Sequence, residues 1–269
     1  MMKRTDWAPE GIDFSRPSIA RSNDYILGGS HNFAVDREFA RELLTALPDF
    51  PLIARANRAF LQRAVRFMVD AGITQFLDIG SGIPAAGNVH ETAQKLVPDA
   101  RVVYVDIDPV AVAHGRQILA GNDHATMIQE DLRRPAAILN HPETRALLDF
   151  DQPVGLTLVA VLPSIPNQDD PYDIVAWLRD ALPAGSYLTI SQGTADERTE
   201  EIQAAREITD RTTTPLTVRS HAEIMRFFTG FDLAEPGLVW SSQWRPDSLD
   251  DVGDHPERLL MLVGVGRKA

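Results

Sequence analysis

Three acids in this sequence are spaced for chemistry: Asp78, Asp106 and Asp131. Each stands at the end of a short apolar run. Asp78 follows Phe76 and Leu77 and leads into Ile79-Gly80-Ser81-Gly82. Asp106 ends "VVYVD", 24 residues after Gly82, and Asp131 lies in "QEDL". Gly80 is free to take a positive φ, and Gly82 lets a ligand lie flat against the main chain. A helix starting after such a turn offers unpaired N–H groups. An acid at the second strand end can accept two hydrogen bonds from a ribose diol. The pair Asp131-Leu132 suits an adenine amino group and one face of its ring. The other use open to Asp106 and Asp131 is to cap the helices that follow them. As a set of three behind a Gly-x-Gly turn, the acids describe a nucleoside site.

Positioning such a set takes a parallel sheet. Short apolar runs, "TQFLDIG", "RVVYVDI", "ATMIQED", "VGLTLVAVL", "GSYLTIS" and "RLLMLVGVG", recur from residue 74 on. Helical patterns near 88–97, 109–120, 134–148 and 172–182 separate the first five, which is the rhythm of a doubly wound α/β unit. Capping boxes at Thr194–Glu197 and Ser220–Glu223 start helices near 195–210 and 221–228. "LVW" near 238 and the run 259–265 form a terminal antiparallel hairpin. Upstream, 36–47 and 57–69 are amphipathic helices, with Pro48 and Pro51 between them. Residues 1–17 are a polar arm. The expected organisation is an arm and helical lid over 1–72 and a core over 73–269, as one compact unit.

Bulk properties narrow the function. The 269 residues carry a net charge of −12, which repels phosphate backbones and anionic lipid, so no nucleic-acid or membrane partner is expected. There is no cysteine, hence no disulfide, thiolate metal site or cysteine nucleophile. No secretory pattern opens the chain and no run is long enough to span a bilayer, so a cytoplasmic protein is expected. No metal site is expected, since "NQDDP" (167–171) reads as a solvated loop opening a helix. Ser164 and Ser191 lack the G-x-S-x-G elbow of a hydrolase.

Which nucleoside cofactor fits is decided by charge. A dinucleotide fingerprint wants a third small residue in the turn, and Ala85 would serve. Pro84 interrupts that turn, however, and no basic residue stands where a pyrophosphate would lie. S-adenosylmethionine carries no phosphate but does carry an ammonium and a sulfonium. Acidic strand ends suit that cation and oppose a pyrophosphate, and Asp78 is placed for the ammonium.

With those residues in view, "Asp78-x-Gly-x-Gly82…Asp106…Asp131-Leu132" resembles class I S-adenosylmethionine-dependent methyltransferases. More narrowly, the chain resembles a mostly actinobacterial S-adenosyl methyltransferase family of largely unassigned substrates. The specific mark is "IDFSRPSIARSNDYILGGSHNFAVDRE" (12–38), joined by 54–67, 75–91, 101–116, 158–171 and 182–191. The resemblance implies a Rossmann-like α/β fold, with a mostly parallel sheet, a C-terminal antiparallel hairpin and an N-terminal helical lid. It implies that Asp78, Gly80, Ser81 and Gly82 line the methionine part. Asp106 would hold the ribose with Ile107 against the adenine, and Asp131 and Leu132 would bracket the adenine from the other side. Ala160 and Val161 would lie under the sulfonium. Residues 21–32, with Tyr25 and Gly28, and the pair Asn57-Arg58 would belong to the lid, Arg58 meeting the cofactor carboxylate. Packing on a helix is the alternative for Tyr25, and a solvated charge for Arg58. The chain departs from relatives at Ser30, His31, Pro163 and Gln192, around the expected substrate mouth.

Methyl transfer is an in-line displacement with a neutral leaving group, so alignment and exclusion of water supply most of the catalysis. A base matters only for a hydroxyl, thiol or protonated amine acceptor. The candidates are His31 and Tyr25, ahead of His90, read as packed or solvated, and His221, read as part of a capping box. Trp240, Trp244 and Arg245 either wall an acceptor pocket or pack beside the hairpin. The expected function is methyl transfer to a small molecule. The alternatives are a cofactor-binding regulatory protein without catalysis and, less favoured, a nicotinamide-dependent oxidoreductase.

Overall fold

The computed structural model describes residues 15–83, 87–194, 196–197, 199–210, 212 and 215–269. Three helices open it: α1 (Ile19–Ile26), α2 (Ala34–Ala46) and α3 (Phe50–Asp70). The alternating part follows as β1 (Gln75–Ile79), α4 (Val89–Leu96), β2 (Arg101–Asp106), α5 (Pro109–Ile118) and β3 (Ala125–Gln129). Then come α6 (Pro135–Asn140), α7 (Pro142–Leu147), β4 (Gly155–Val159), α8 (Pro171–Ala181) and β5 (Tyr187–Gly193). The chain closes with α9 (Thr199–Thr209), α10 (His221–Arg226), β6 (Phe231–Leu233), β7 (Val239–Trp240) and β8 (Met261–Lys268).

The sheet order is β3-β2-β1-β4-β5-β8-β6, with β7 also paired to β8. The first five strands are parallel; β8 runs antiparallel to β5, β6 and β7. The winding reverses at β1, which lies between β2 and β4, so the crevice outside its carboxyl end is where an open α/β sheet takes ligands. Strand periodicity sorts the side chains. Leu77, Ile79, Val103 and Val105 join one core with α8 and α10; Phe76, Val102 and Tyr104 join the other with α3, α4 and α5. Asp78 and Asp106, two residues on from Phe76 and Tyr104, therefore fall on the α3–α5 face.

Several sequence expectations need adjusting. The helix expected over 134–148 is two helices, because Pro142 removes a donor and forces His141 out of helical geometry. The box at Ser220–Glu223 caps α10 as expected. At Thr194–Glu197, among the described residues, Thr194 Oγ1 accepts from Asp196 N–H at 3.2 Å, and α9 runs from Thr199. Ala195 lies outside the described residues, as do residues 1–14 of the arm. The terminal antiparallel unit is larger than a hairpin, since β6, three residues long, is too short to read from alternation and lies between α10 and β7. Among the described residues no helix is long and apolar enough to cross a membrane.

Candidate functional site

The three acids come together at neighbouring strand ends, and each is held differently. Asp78 is 5% exposed and accepts a hydrogen bond from Thr157 Oγ1, its register partner on β4. Burial pushes its carboxyl up to about 6, against the pull of the Thr157 hydroxyl and the Arg58 charge. Asp106 accepts from the N–H of Gly82 at 2.7 Å and of Asp108 at 2.8 Å, one on each oxygen. Burial again dominates, the two N–H groups oppose it, and the carboxylates of Asp108 and Asp78 add to the rise, to about 6. Asp131 is the open one: Arg133 binds both its oxygens through Nε, at 3.0 and 2.9 Å, and Oδ2 again through Nη2 at 2.6 Å. Burial pulls Asp131 up, but the Arg133 bonds outweigh it and hold the carboxyl below its ordinary range. Arg133 also reaches Asp169 beyond β4, at 3.4 Å.

The turn between them is shaped by its glycines. Gly80 has φ +77°, and a Cβ there would sit 2.3 Å from Val161 Cγ2, so this position fits β1 against the β4 tip. At Gly82, φ +68°, a Cβ would meet nothing within 4 Å: the main chain is bare toward open space. Ser81 Oγ is buried with no hydrogen-bond partner among the described residues. Pro84 and Ala85 lie outside the described residues. Ile107 is 56% exposed although apolar, a surface for a flat ring, whereas Leu132 buries its side chain in the core. Ala160 is exposed and left-handed, φ +58°, with its N–H bonded to Ser191 O and Oγ. An alanine in that conformation is strained, and such strain collects at sites that hold ligands.

These residues fit an adenosine cation. Among the described residues the donor set offers carboxylates, one orphaned hydroxyl and bare backbone rather than a phosphate cradle of basic side chains. A sequence family described as S-adenosyl methyltransferase matches residues 5–269. The chain belongs to the S-adenosyl methyltransferase family. The methyltransferase is similar to a solved candidate methyltransferase from Thermobifida fusca: 41% identity, 98% of this chain and 99% of that one, TM-score 0.92. It is also similar to a solved DUF574 family protein from Streptomyces avermitilis: 38% identity, 94% of this chain and 98% of that one, TM-score 0.91. No curated protein matches it. It transfers the methyl group of S-adenosylmethionine, its cofactor, and its α/β fold is the Rossmann-like one expected from the sequence.

The other nominated residues have partners of their own. His31 stacks on His114 of α5, ring centroids 3.5 Å apart, and its N–H bonds Asp24. Tyr25 lies under the Arg41 guanidinium, 5.7 Å from its ring centre. Gly28, φ +86°, ends the turn after α1. Arg58 donates to Asn88 Oδ1 at 3.1 Å and lies near enough to Asp78 to favour its charge. His90 is buried, its Nδ1 2.7 Å from the Tyr104 hydroxyl, and burial lowers its pKa. His221 opens α10, its N–H bonded to Asp196. Trp244 is fully buried against Phe60 and Phe67, which settles it as packing. Gln192 is also fully buried, so it does not line an open mouth. Its Oε1 accepts from Arg219 and its Nε2 donates to Thr217 O and Gly193 O.

Sequence reasoning missed Arg219 and Thr157. Arg219, 1% exposed, donates to Leu162 O, Ile165 O, Asn167 Oδ1 and Gln192 Oε1, tying the loop after β4 to the end of β5. A lone arginine between two helices carries no signal in one sequence. Thr157 was legible only through the β1–β4 register.

Proposed function

We propose that the methyltransferase binds S-adenosylmethionine across the ends of β1, β2 and β3 and delivers its methyl group at the tip of β4 to a small-molecule acceptor. Asp78 and Arg58 take the amino-acid end, Ser81 and Gly82 the adjoining backbone face. Asp106 takes the ribose hydroxyls, Ile107 and Asp131 the adenine, and Ala160 and Val161 the floor under the sulfonium. The single observation that carries this reading is the placement of three differently held carboxylates at the carboxyl ends of the adjacent strands β1, β2 and β3, with Asp106 bonded to the bare glycine turn. When bound, the cofactor supplies an electrophilic methyl on a cationic sulfur; this chain's residues hold it, orient it and exclude water.

The N-terminal helices act as the lid in this reading. Phe39 and Leu43 of α2 pack on Ala205 of α9, and Ile53 of α3 packs on Ile202, Leu260 and Met261, above the strand ends. No protein base is needed if the acceptor presents a free lone pair, and the nominated histidines are engaged elsewhere: His31 on His114, His90 on Tyr104. Burial of Gln192 on Arg219 argues against the reading in which its replacement marks lost catalysis. A cytoplasmic location suits a cysteine-free chain that uses this cofactor. Calorimetry tests the assignment: S-adenosylhomocysteine should bind and NAD should not. Binding of NAD with no binding of S-adenosylhomocysteine would refute it, and methyl transfer across a panel of acceptors separates an enzyme from a silent binder.

A further inference from the structure

Two acids stand at the end of β2, its last residue Asp106 and, two residues on, Asp108, and the second is committed to the N-terminal helices. Its Oδ1 accepts from Val110 N–H at 2.8 Å and caps α5. Its Oδ2 accepts from Ser18 Oγ at 2.5 Å and lies 3.7 Å from Arg21 Nη1. Its own N–H donates to Asp106 Oδ1, and Asp106 Oδ2 accepts from Gly82. An unbroken line of hydrogen bonds thus runs from α1 to the glycine turn.

The α1 end of that line is a rigid block. Arg21 is 4% exposed and its Nε bonds both oxygens of Asp36, at 3.1 and 2.9 Å. Asp36, fully buried, also accepts from the N–H of Ser18 and of Phe33. The Phe33 ring lies 5.3 Å from the Arg21 guanidinium. One arginine is therefore shared between two buried carboxylates, one inside the block and one on the sheet. A buried charge left without its partner is costly, so α1 and the tip of β2 hold together or part together.

We propose that Asp108 is the receptor on which the N-terminal helices latch, and that this latch couples their closure to cofactor binding through Asp106. The proposal rests on the assignment of Asp106 to the ribose. Each Asp106 oxygen already takes one main-chain N–H, so a ribose diol must use what remains, in a geometry that Asp108 helps to fix. Coupling of this kind is reciprocal: bound cofactor tightens the latch, and the closed latch tightens the cofactor.

The test uses the whole protein and S-adenosylhomocysteine as probe. Asp108→Asn keeps a good helix cap and removes the charge facing Arg21. Affinity by calorimetry should fall about fivefold to a hundredfold, the usual span of such couplings. Ser18→Ala should weaken binding less, and Asp108→Asn combined with Arg21→Gln no more than the worse single change, because the two share one contact. Hydrogen exchange supplies the readout that a merely structural cap would not move. In wild type the probe should slow exchange over 19–33, and in Asp108→Asn that slowing should shrink. A wild-type protein that ignores the probe overturns the cofactor assignment and the latch with it. Equal affinity and equal slowing in wild type, Asp108→Asn and Ser18→Ala overturns the latch alone.

Discussion

Replacing Asp78 by asparagine should make the empty methyltransferase more stable and leave it unable to hold its cofactor. The carboxyl is raised from its ordinary 3.8 to about 6 by burial. Such a group contributes its stability in full below pH 4, where folded and unfolded chains both hold the proton. That contribution drains away as pH rises through about 6, because the unfolded chain gives up its proton first. Above that window the fold carries a buried charge, and the rise corresponds to about 3 kcal/mol. Asparagine keeps the acceptor for Thr157 Oγ1 and removes the charge. The rise is already net of the opposing pull of Arg58, so the gain at pH 8 is about 1–3 kcal/mol. For a chain of this size each kcal/mol moves the melting temperature by about 2–4 °C. Thermal melts at pH 4.5 and pH 8, with and without S-adenosylhomocysteine, are the assay. The variant should melt higher than wild type at pH 8, converge on it at acid pH, and gain nothing from the ligand. A variant that melts lower at pH 8, or that follows the wild-type pH profile, refutes the reasoning.

Four more substitutions separate fold from binding. Gly82→Ala should cost the fold only about 1–2 kcal/mol, for a left-handed alanine, while cutting S-adenosylhomocysteine affinity, because its Cβ enters the open space over the turn; unchanged affinity in calorimetry would remove Gly82 from the site. Gly80→Val should instead lower the melting temperature sharply, since its Cβ collides with Val161 at 2.3 Å; a normal melt would show that the β4 tip yields. Asp106→Ala should weaken the ligand at least about tenfold, as hydrogen bonds to a charged group contribute about 1.5–3 kcal/mol, and equal Kd values would contradict that. Ile107→Ser, at a side chain 56% exposed, should change stability by less than about 0.5 kcal/mol yet raise Kd; an unaltered Kd would take Ile107 off the adenine.

The sheet was legible because its signals are local. Alternation and acid placement located β1 to β5 within a few residues, and Asp78, Asp106 and Asp131 converge because parallel strands put all their carboxyl ends on one edge. What sequence reasoning could not read depends on register or on distant partners. Thr157 meets Asp78 only because β4 pairs with β1, and Asp108 looks like a helix cap until Ser18 and Arg21, 90 and 87 residues earlier, arrive beside it. The resemblance to relatives sets Gln192 at the substrate mouth, but the buried Arg219 holds it inside the protein. The split of the 134–148 helix has a local cause, Pro142, whose ring removes a donor and holds His141 out of helical geometry.

β8 sits between β5 and β6, yet 67 residues separate the end of β5 from its start. At ribosomal speeds of about 5–20 residues per second, β5 therefore waits several seconds in the nascent chain with an unpaired edge. During that wait the apolar slots later filled by Leu262, Val263 and Val265 are open to water and to other chains. Expression of this protein should thus be sensitive to translation rate: slower elongation lengthens the exposure and lowers the yield of correctly assembled sheet, and holding chaperones restore it.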